Sequence, residues 1–208
     1  MASLKDFQLM FFLAVFATVA WMATAGDPDI LTDFVVPPNS SIPINGSLFT
    51  FTRMRGIIRN PPSTFSATKA AMAEFPALFG QSVSMAILRF PTEGLNPPHT
   101  HPRSAELLLL VSGCLEVGFV DTTNELFVQN LQVGDLFVFP KGLVHYQYNA
   151  DTKNPAIAIS FFGSANAGTV SVPWTVFVTG ISDGILAEAF KTDVATVQKI
   201  KAGLLPKT

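Results

Sequence analysis

The chain has 208 residues, with 13 Lys and Arg against 15 Asp and Glu, so it lacks the basic excess that a nucleic-acid surface requires. Hydrophobic residues make up 49% and charged residues only 13%, which implies a large buried fraction, some of it between subunits. Cys114 is the single cysteine, so an intramolecular disulfide is excluded and stability must come from core, metal or assembly.

The chain opens with an apolar stretch from Leu9 to Ala23, too short to cross the hydrocarbon core of a bilayer, which takes about 20 helical residues. It is read as a secretory signal peptide over residues 1–25. Ala23 and Ala25 place small residues where a signal peptidase reads them, with cleavage before Gly26. An uncleaved signal anchor is the alternative. No later segment is apolar for long enough to span a membrane. Asn39-Ser40-Ser41 and Asn45-Gly46-Ser47 are glycosylation sequons in a polar segment that a secretory route exposes, whereas Asn60, Asn96 and Asn154 each precede proline.

Thr64 to Phe79 is ambiguous, with a helical turn expected around Ala70 to Glu74. From Val83 onward, short apolar or alternating runs separated by turn signals are the mark of a sandwich or barrel. The expected strands are Val83 to Phe90, Glu106 to Ser112, Leu115 to Asp121, Glu125 to Leu131, Leu136 to Phe139, Val144 to Tyr148 and Ala156 to Phe162. Cys114, in this apolar context, is expected to be a small buried hydrophobe rather than a reactive thiol. Near the C-terminus, Ser182 or Asp183 caps a short helix through Phe190, and Thr192 or Asp193 caps a second. Val194, Val197, Ile200 and Leu204 form its apolar face, and Gly203 is the expected stop.

Histidine is scarce, and all three copies fall in two places, His99 with His101, and His145. Residues at i and i+2 of an extended chain project to the same side, so His99 and His101 can present both imidazoles to one space. Glu106 heads an otherwise apolar strand, and Pro102 to Ala105 can turn the chain so that its carboxylate meets them. His145 follows the turn Pro140-Lys141-Gly142, and strand pairing in a closed barrel would bring it alongside. Three imidazoles and one carboxylate suit a first-row divalent ion with room for solvent or substrate. The ligand types alone do not name the metal, and zinc fits them too.

At these residues the sequence resembles the germin and germin-like proteins of plants, in the cupin superfamily. One motif runs Gly94, Leu95, Asn96, Pro97, Pro98, His99, Thr100, His101, Pro102, Arg103, Ser104, Ala105, Glu106 and closes at Gly113. The second is Gly134, Pro140, Gly142, His145 and Asn149, and supporting similarity covers essentially the whole mature chain. The resemblance implies an all-β cupin (jelly-roll) barrel with short C-terminal α-helices. It divides the chain into a signal peptide (1–25), an extended N-terminal arm (26–62), the barrel core (63–165), and last strands with a helical oligomerisation clasp (166–208). It also implies one manganese ion (Mn2+) per subunit on His99, His101, Glu106 and His145. The further implications are a homo-hexamer built as a trimer of dimers, and secretion to the apoplast and cell wall, with cell-wall components as candidate partners.

Three departures from the family pattern stand out. The cysteine pair that germins join near the N-terminus is absent, and a glycine often found ahead of Gly94 is Glu93. Germins that oxidise oxalate place two asparagine amides beside the substrate. Asn96 matches one, but Ala86 stands at the other. Losing a polar contact to a buried charged ligand costs about 1.5–3 kcal/mol, roughly tenfold or more in binding. Oxalate oxidase activity is therefore disfavoured, and no residue is assigned a catalytic role. The expected function is a metal-binding wall protein of defence-related or reservoir type, with superoxide dismutase as the alternative.

Overall fold

Side chains on a strand alternate between two faces, and here most strands turn apolar residues inward while many outward positions are solvent-exposed. The computed structural model describes residues 27–36, 43–57 and 63–205. The signal-peptide segment and Asn39 lie outside the described residues. Among the described residues ten strands are formed: β1 Ser66–Ala70, β2 Ser84–Phe90, β3 Leu95–Thr100, β4 Glu106–Ser112, β5 Leu115–Val120, β6 Leu126–Leu131, β7 Leu136–Phe139, β8 Val144–Tyr148, β9 Ala156–Phe162 and β10 Val170–Ser171. Three short helices follow, α1 Val172–Phe177, α2 Asp183–Ala189 and α3 Val194–Leu204.

The strands pair antiparallel into two five-stranded sheets, ordered β1-β2-β9-β4-β7 and β10-β3-β8-β5-β6. Sequence neighbours such as β3 and β4 fall in opposite sheets, so the chain crosses repeatedly over the barrel. This is the expected jelly-roll architecture, and the shared interior is its core. Ala86, Leu88 and Phe90 of β2, Leu108 and Leu110 of β4, Leu115 and Val117 of β5, Phe139 of β7, and Ala156 and Ala158 of β9 meet there. Burying each Leu, Val or Phe contributes about 1.5–3 kcal/mol.

Towards one end of the interior the same inward rows change from apolar to polar. In β4, Glu106 lies two residues before Leu108. In β9, Ser160 lies two residues after Ala158, and in β8 His145 and Gln147 are the buried pair. The alternation that builds the core therefore also aims these groups inward.

Several expected elements take other forms. Ser66–Ala70 is an edge strand paired with β2, despite its poor intrinsic strand propensity, because the ladder to β2 supplies its hydrogen bonds. A turn over residues 71–74 follows, with the Ala71 N–H donating to the Glu74 carboxylate at 3.2 Å. Cys114 is exposed, not buried. It sits in the turn between β4 and β5, where Gly113 at φ +79° swings the chain out. A Cβ on Gly113 would stand 2.7 Å from the Pro155 carbonyl oxygen, so only glycine fits. Glu93, in place of the family's glycine, has φ +54°, a left-handed conformation costing a side-chain residue about 1–2 kcal/mol.

At the C-terminus, Ser182 Oγ accepts from the Ile185 N–H and Asp193 Oδ1 from the Thr196 N–H, capping α2 and α3 as expected. Gly203 does not stop α3, which continues to Leu204. Leu186, Ala187 and Val197 form a small core with Val176 and Phe177, tied by an ion pair from Lys201 Nζ to Asp183 Oδ1 at 2.6 Å. Val197 is fully buried, but Val194 and Ile200 of the expected apolar face are exposed. No helix among the described residues is long and apolar enough to cross a membrane.

Candidate metal centre

His99 and His145 are direct partners in the β3–β8 ladder, and their rings lie 4.2 Å apart between centroids. The β3–β8 register shifts between Asn96 and His99, where Pro97 and Pro98 have no N–H to give. His101 follows the end of β3. Glu106 begins β4 in the opposite sheet, so the four side chains converge across the barrel interior rather than along one surface. Their candidate ligand atoms all lie within 4.8 Å of one another, and all four residues are buried. The structure thus brings the four expected residues into one cluster.

Each imidazole is oriented by the backbone. His99 Nδ1 donates to the Pro97 carbonyl at 2.8 Å, His145 Nδ1 to the Leu143 carbonyl at 2.9 Å, and His101 Nδ1 to the Gly168 carbonyl. A carbonyl oxygen can only accept, so each neutral ring carries its proton on Nδ1 and turns the Nε2 lone pair inward. His101 Nε2 and His145 Nε2 lie 3.0 and 3.1 Å from Glu106 Oε2. Lone pairs and a carboxylate crowded this closely repel one another unless a cation lies between them. Ligands about 2.0–2.3 Å from an ion stand at most about 4.6 Å apart across it, which matches the size of the cluster. The residues present therefore fit a divalent metal.

The carboxylate is held from behind. Ser160 Oγ donates to Glu106 Oε1 at 2.6 Å and Gln147 Nε2 donates to the same oxygen at 3.3 Å, leaving Oε2 for the centre. Asn96 Nδ2 donates to Gln147 Oε1 at 2.6 Å and lies 3.5 Å from His99 Nε2, so Asn96 reaches the cluster as a neighbour of the ligands. Phe139 stacks on His145 and Phe162 packs edge-on against His101, closing the walls. Sequence reasoning missed Gln147 and Ser160. Gln147 was detectable as the residue two beyond His145 on one strand face, whereas Ser160 carries no distinguishing local signal.

Burial, reinforced by the neighbouring His145, lowers the His99 pKa from 6.5 to about 4. Burial alone would raise that of Glu106, but when protons on His101 and His145 Nε2 stand in for the metal, their hydrogen bonds to the carboxylate outweigh burial and bring the group down to about 2. Both shifts favour the protonation states that bind a cation, neutral imidazole and ionised carboxylate.

A cavity of about 180 Å³ reaches the cluster. Its walls include Phe65, Ala86, Leu88 and Phe162, together with Asn96, which lies beside the cluster, and the exposed Lys69. Ala86 is buried and presents a methyl group there.

The family model described as Cupin matches residues 58–198. The chain is 58% identical over 205 residues to Germin-like protein 9-3 of Oryza sativa subsp. japonica, covering 95% of each chain. It is 35% identical over 199 residues to Germin-like protein subfamily 2 member 4 of Arabidopsis thaliana, covering 88% of this chain and 90% of that one. Among solved structures, it is similar to oxalate oxidase in complex with the substrate analogue glycolate. That match has a TM-score of 0.76 and 27% identity, covering 88% of this chain and all of the other. With the two-sheet barrel and the buried His3Glu cluster in place, these matches show that the chain belongs to the cupin family and, within it, to the germin-like proteins.

Proposed function

We propose that the protein is a secreted manganese-binding germin-like protein of the plant apoplast and cell wall, defence-related or reservoir-like, without oxalate oxidase activity. The observation that carries the metal assignment is the orientation of three imidazoles by backbone carbonyls, with their Nε2 lone pairs and one Glu106 oxygen gathered at a single point. His99, His101, Glu106 and His145 would be the ligands, Asn39 and Asn45 the glycosylation sites, and residues 1–25 the cleaved signal peptide. Asn45 is exposed, as a glycan acceptor must be. Manganese follows from the family resemblance, since three imidazoles and a carboxylate also accept other first-row ions. The hexamer is part of the same reading, with the exposed side chains Ile185 on α2, Phe190 just after it and Val194 on α3 supplying apolar surface for a neighbouring subunit.

Bound manganese supplies one-electron redox chemistry. His99, His101, Glu106 and His145 would hold the ion, with the backbone carbonyls fixing the imidazole tautomers. Elemental analysis with electron paramagnetic resonance, on protein purified from its secretion route, tests the reading. About one manganese per chain is expected, and a preparation fully loaded with zinc would overturn the manganese assignment.

A second reading, superoxide dismutase, is favoured by the cavity that gives a small diatomic access to a redox-capable ion. Dismutase activity in the metal-loaded protein that persists unchanged in His101→Ala would sink it.

A further inference from the structure

Lys69 occupies an unusual place in this cavity. It lies on the edge strand β1, paired with Ala86 of β2, which is in turn paired with Ser160 of β9. Cross-strand partners share a face, so Lys69, Ala86 and Ser160 form one lateral row on the inner surface. Adjacent strands are about 4.8 Å apart, which places the Lys69 backbone roughly 10 Å from that of Ser160, the residue that holds Glu106. Lys69 is exposed whereas the cluster is buried, so the row runs from solvent to the candidate metal centre.

The polar groups at the deep end are already engaged. Asn96 donates to Gln147, Ser160 to Glu106, and Ser84 Oγ to the Ser164 carbonyl at 2.6 Å. Lys69 makes only a long contact, 3.4 Å from Nζ to Thr169 Oγ1, and among the described residues it has no carboxylate within ion-pair distance. The remaining wall is mostly apolar, with Phe65, Ala86, Leu88 and Phe162 on it, although Asn166 and Thr169 also line the cavity. An uncompensated cation at the solvent end of an apolar cavity suits a ligand with one anionic head and a compact apolar body.

We propose that Lys69 is a specificity-determining residue that captures the carboxylate of a small apolar monocarboxylate, whose body then lies against Ala86 and Leu88. The volume of about 180 Å³ is enough for one six-membered ring, since an apolar cavity of about 150 Å³ binds benzene. Oxalate is a poor fit for this site because it has a second charge and no apolar body. The inference rests on the cavity and not on the ion, so it stands or falls separately from the manganese reading.

Calorimetric titration of the secreted protein, both metal-loaded and after chelation, tests it with benzoate, its uncharged analogue benzyl alcohol, and oxalate. Benzoate should bind both forms, and benzyl alcohol should bind at least about threefold more weakly. Lys69→Met should weaken benzoate about threefold to tenfold, the range between an exposed and a partly enclosed charge pair. Lys69→Arg should bind within about twofold of the parent, and the melting temperature should be unchanged in both variants, which separates ligand capture from folding. Benzoate affinity unaffected by Lys69→Met would overturn the proposal. So would binding that disappears on chelation, which would put the carboxylate at the ion, or oxalate binding the chelated protein more tightly than benzoate.

Discussion

Asp27 and Ser164 are joined by a 2.6 Å hydrogen bond across a sequence separation of 137. The other Asp27 oxygen accepts the Ala165 N–H, also at 2.6 Å, so the N-terminal arm is fastened to the segment that follows β9. Ser164 Oγ in turn accepts from the Asn166 N–H, and Asn166 receives the Arg103 guanidinium through both its carbonyl and its side-chain oxygen. Gly168, two residues on, orients His101. A Cβ on Gly168 would press on that same guanidinium, so the loop, Arg103 and His101 are packed as one unit.

Asp27→Ala should therefore act on stability and on metal retention together. Losing charge-assisted hydrogen bonds costs about 1–3 kcal/mol. For a chain of this size, that is a fall of roughly 3–10 °C in melting temperature. Scanning calorimetry, together with the rate at which a coloured chelator strips the ion, checks both effects. Stripping at the parental rate would show that the arm does not communicate with His101.

The grip on Glu106 can be graded. Ser160→Ala removes the 2.6 Å donor that holds Oε1, leaving the carboxylate charged but free to swing. Metal affinity should fall about tenfold to a hundredfold, the usual cost of losing a group that orients a ligand. Glu106→Gln removes the negative charge itself and should weaken binding further. Competitive metal titration of the two variants reads the order directly. Equal losses would mean that Ser160 matters as much as the charge, and no loss in Ser160→Ala would mean that Gln147 holds the carboxylate unaided.

Much of this site is legible in the sequence, for an identifiable physical reason. His99 and His101 stand two apart on an extended chain, so period-two alternation places both on one side. Glu106 is a carboxylate heading an apolar run, a position that needs a compensating partner. The strands Leu136–Phe139, Val144–Tyr148 and Ala156–Phe162 were readable to the residue because each is bounded by turn chemistry. β1 was not, because Ser66 to Ala70 becomes a strand only through its pairing with β2, a non-local cause. Cys114 was misplaced for the opposite reason. Its apolar surroundings suggested burial, but the left-handed turn at Gly113 decides its direction. Ser160 and Lys69 acquire meaning only from the register of β1, β2 and β9, which no local pattern encodes.

Acid should destabilise the metal-free protein in two steps. His99 has a folded pKa of about 4 against 6.5 for the free group, so the unfolded chain binds the extra proton first. Its stabilising contribution is complete above pH 6.5 and is lost as pH falls towards 4, an effect of roughly 3 kcal/mol. Glu106, about 2 against 4.5, contributes stability above pH 4.5 that is lost between there and about pH 2. Melting temperatures of chelated protein should therefore already decline between pH 6.5 and 4, and His99→Gln should flatten that first decline. A flat profile over this range in the parent protein would contradict the neutral, buried state of His99.

The choice between oxalate chemistry and its absence turns on one methyl group. Ala86 faces the cavity from β2, where the family pattern for oxalate oxidation has a second asparagine, so of that asparagine pair Asn96 alone is kept, its amide 3.5 Å from His99 Nε2. Manganese-loaded parent protein should release no hydrogen peroxide from oxalate above a metal-free control. Ala86→Asn restores a donor on the cavity wall, in the same inner row as Ser160, and should bring peroxide release above that background. The new amide has no partner in the empty cavity, so burying it should cost about 1–3 kcal/mol. Saturating oxalate should recover part of that loss, because the ligand supplies the missing acceptor. A lowered melting point that oxalate does not raise, with peroxide still absent, would mean that position 86 is not where this barrel distinguishes its ligands.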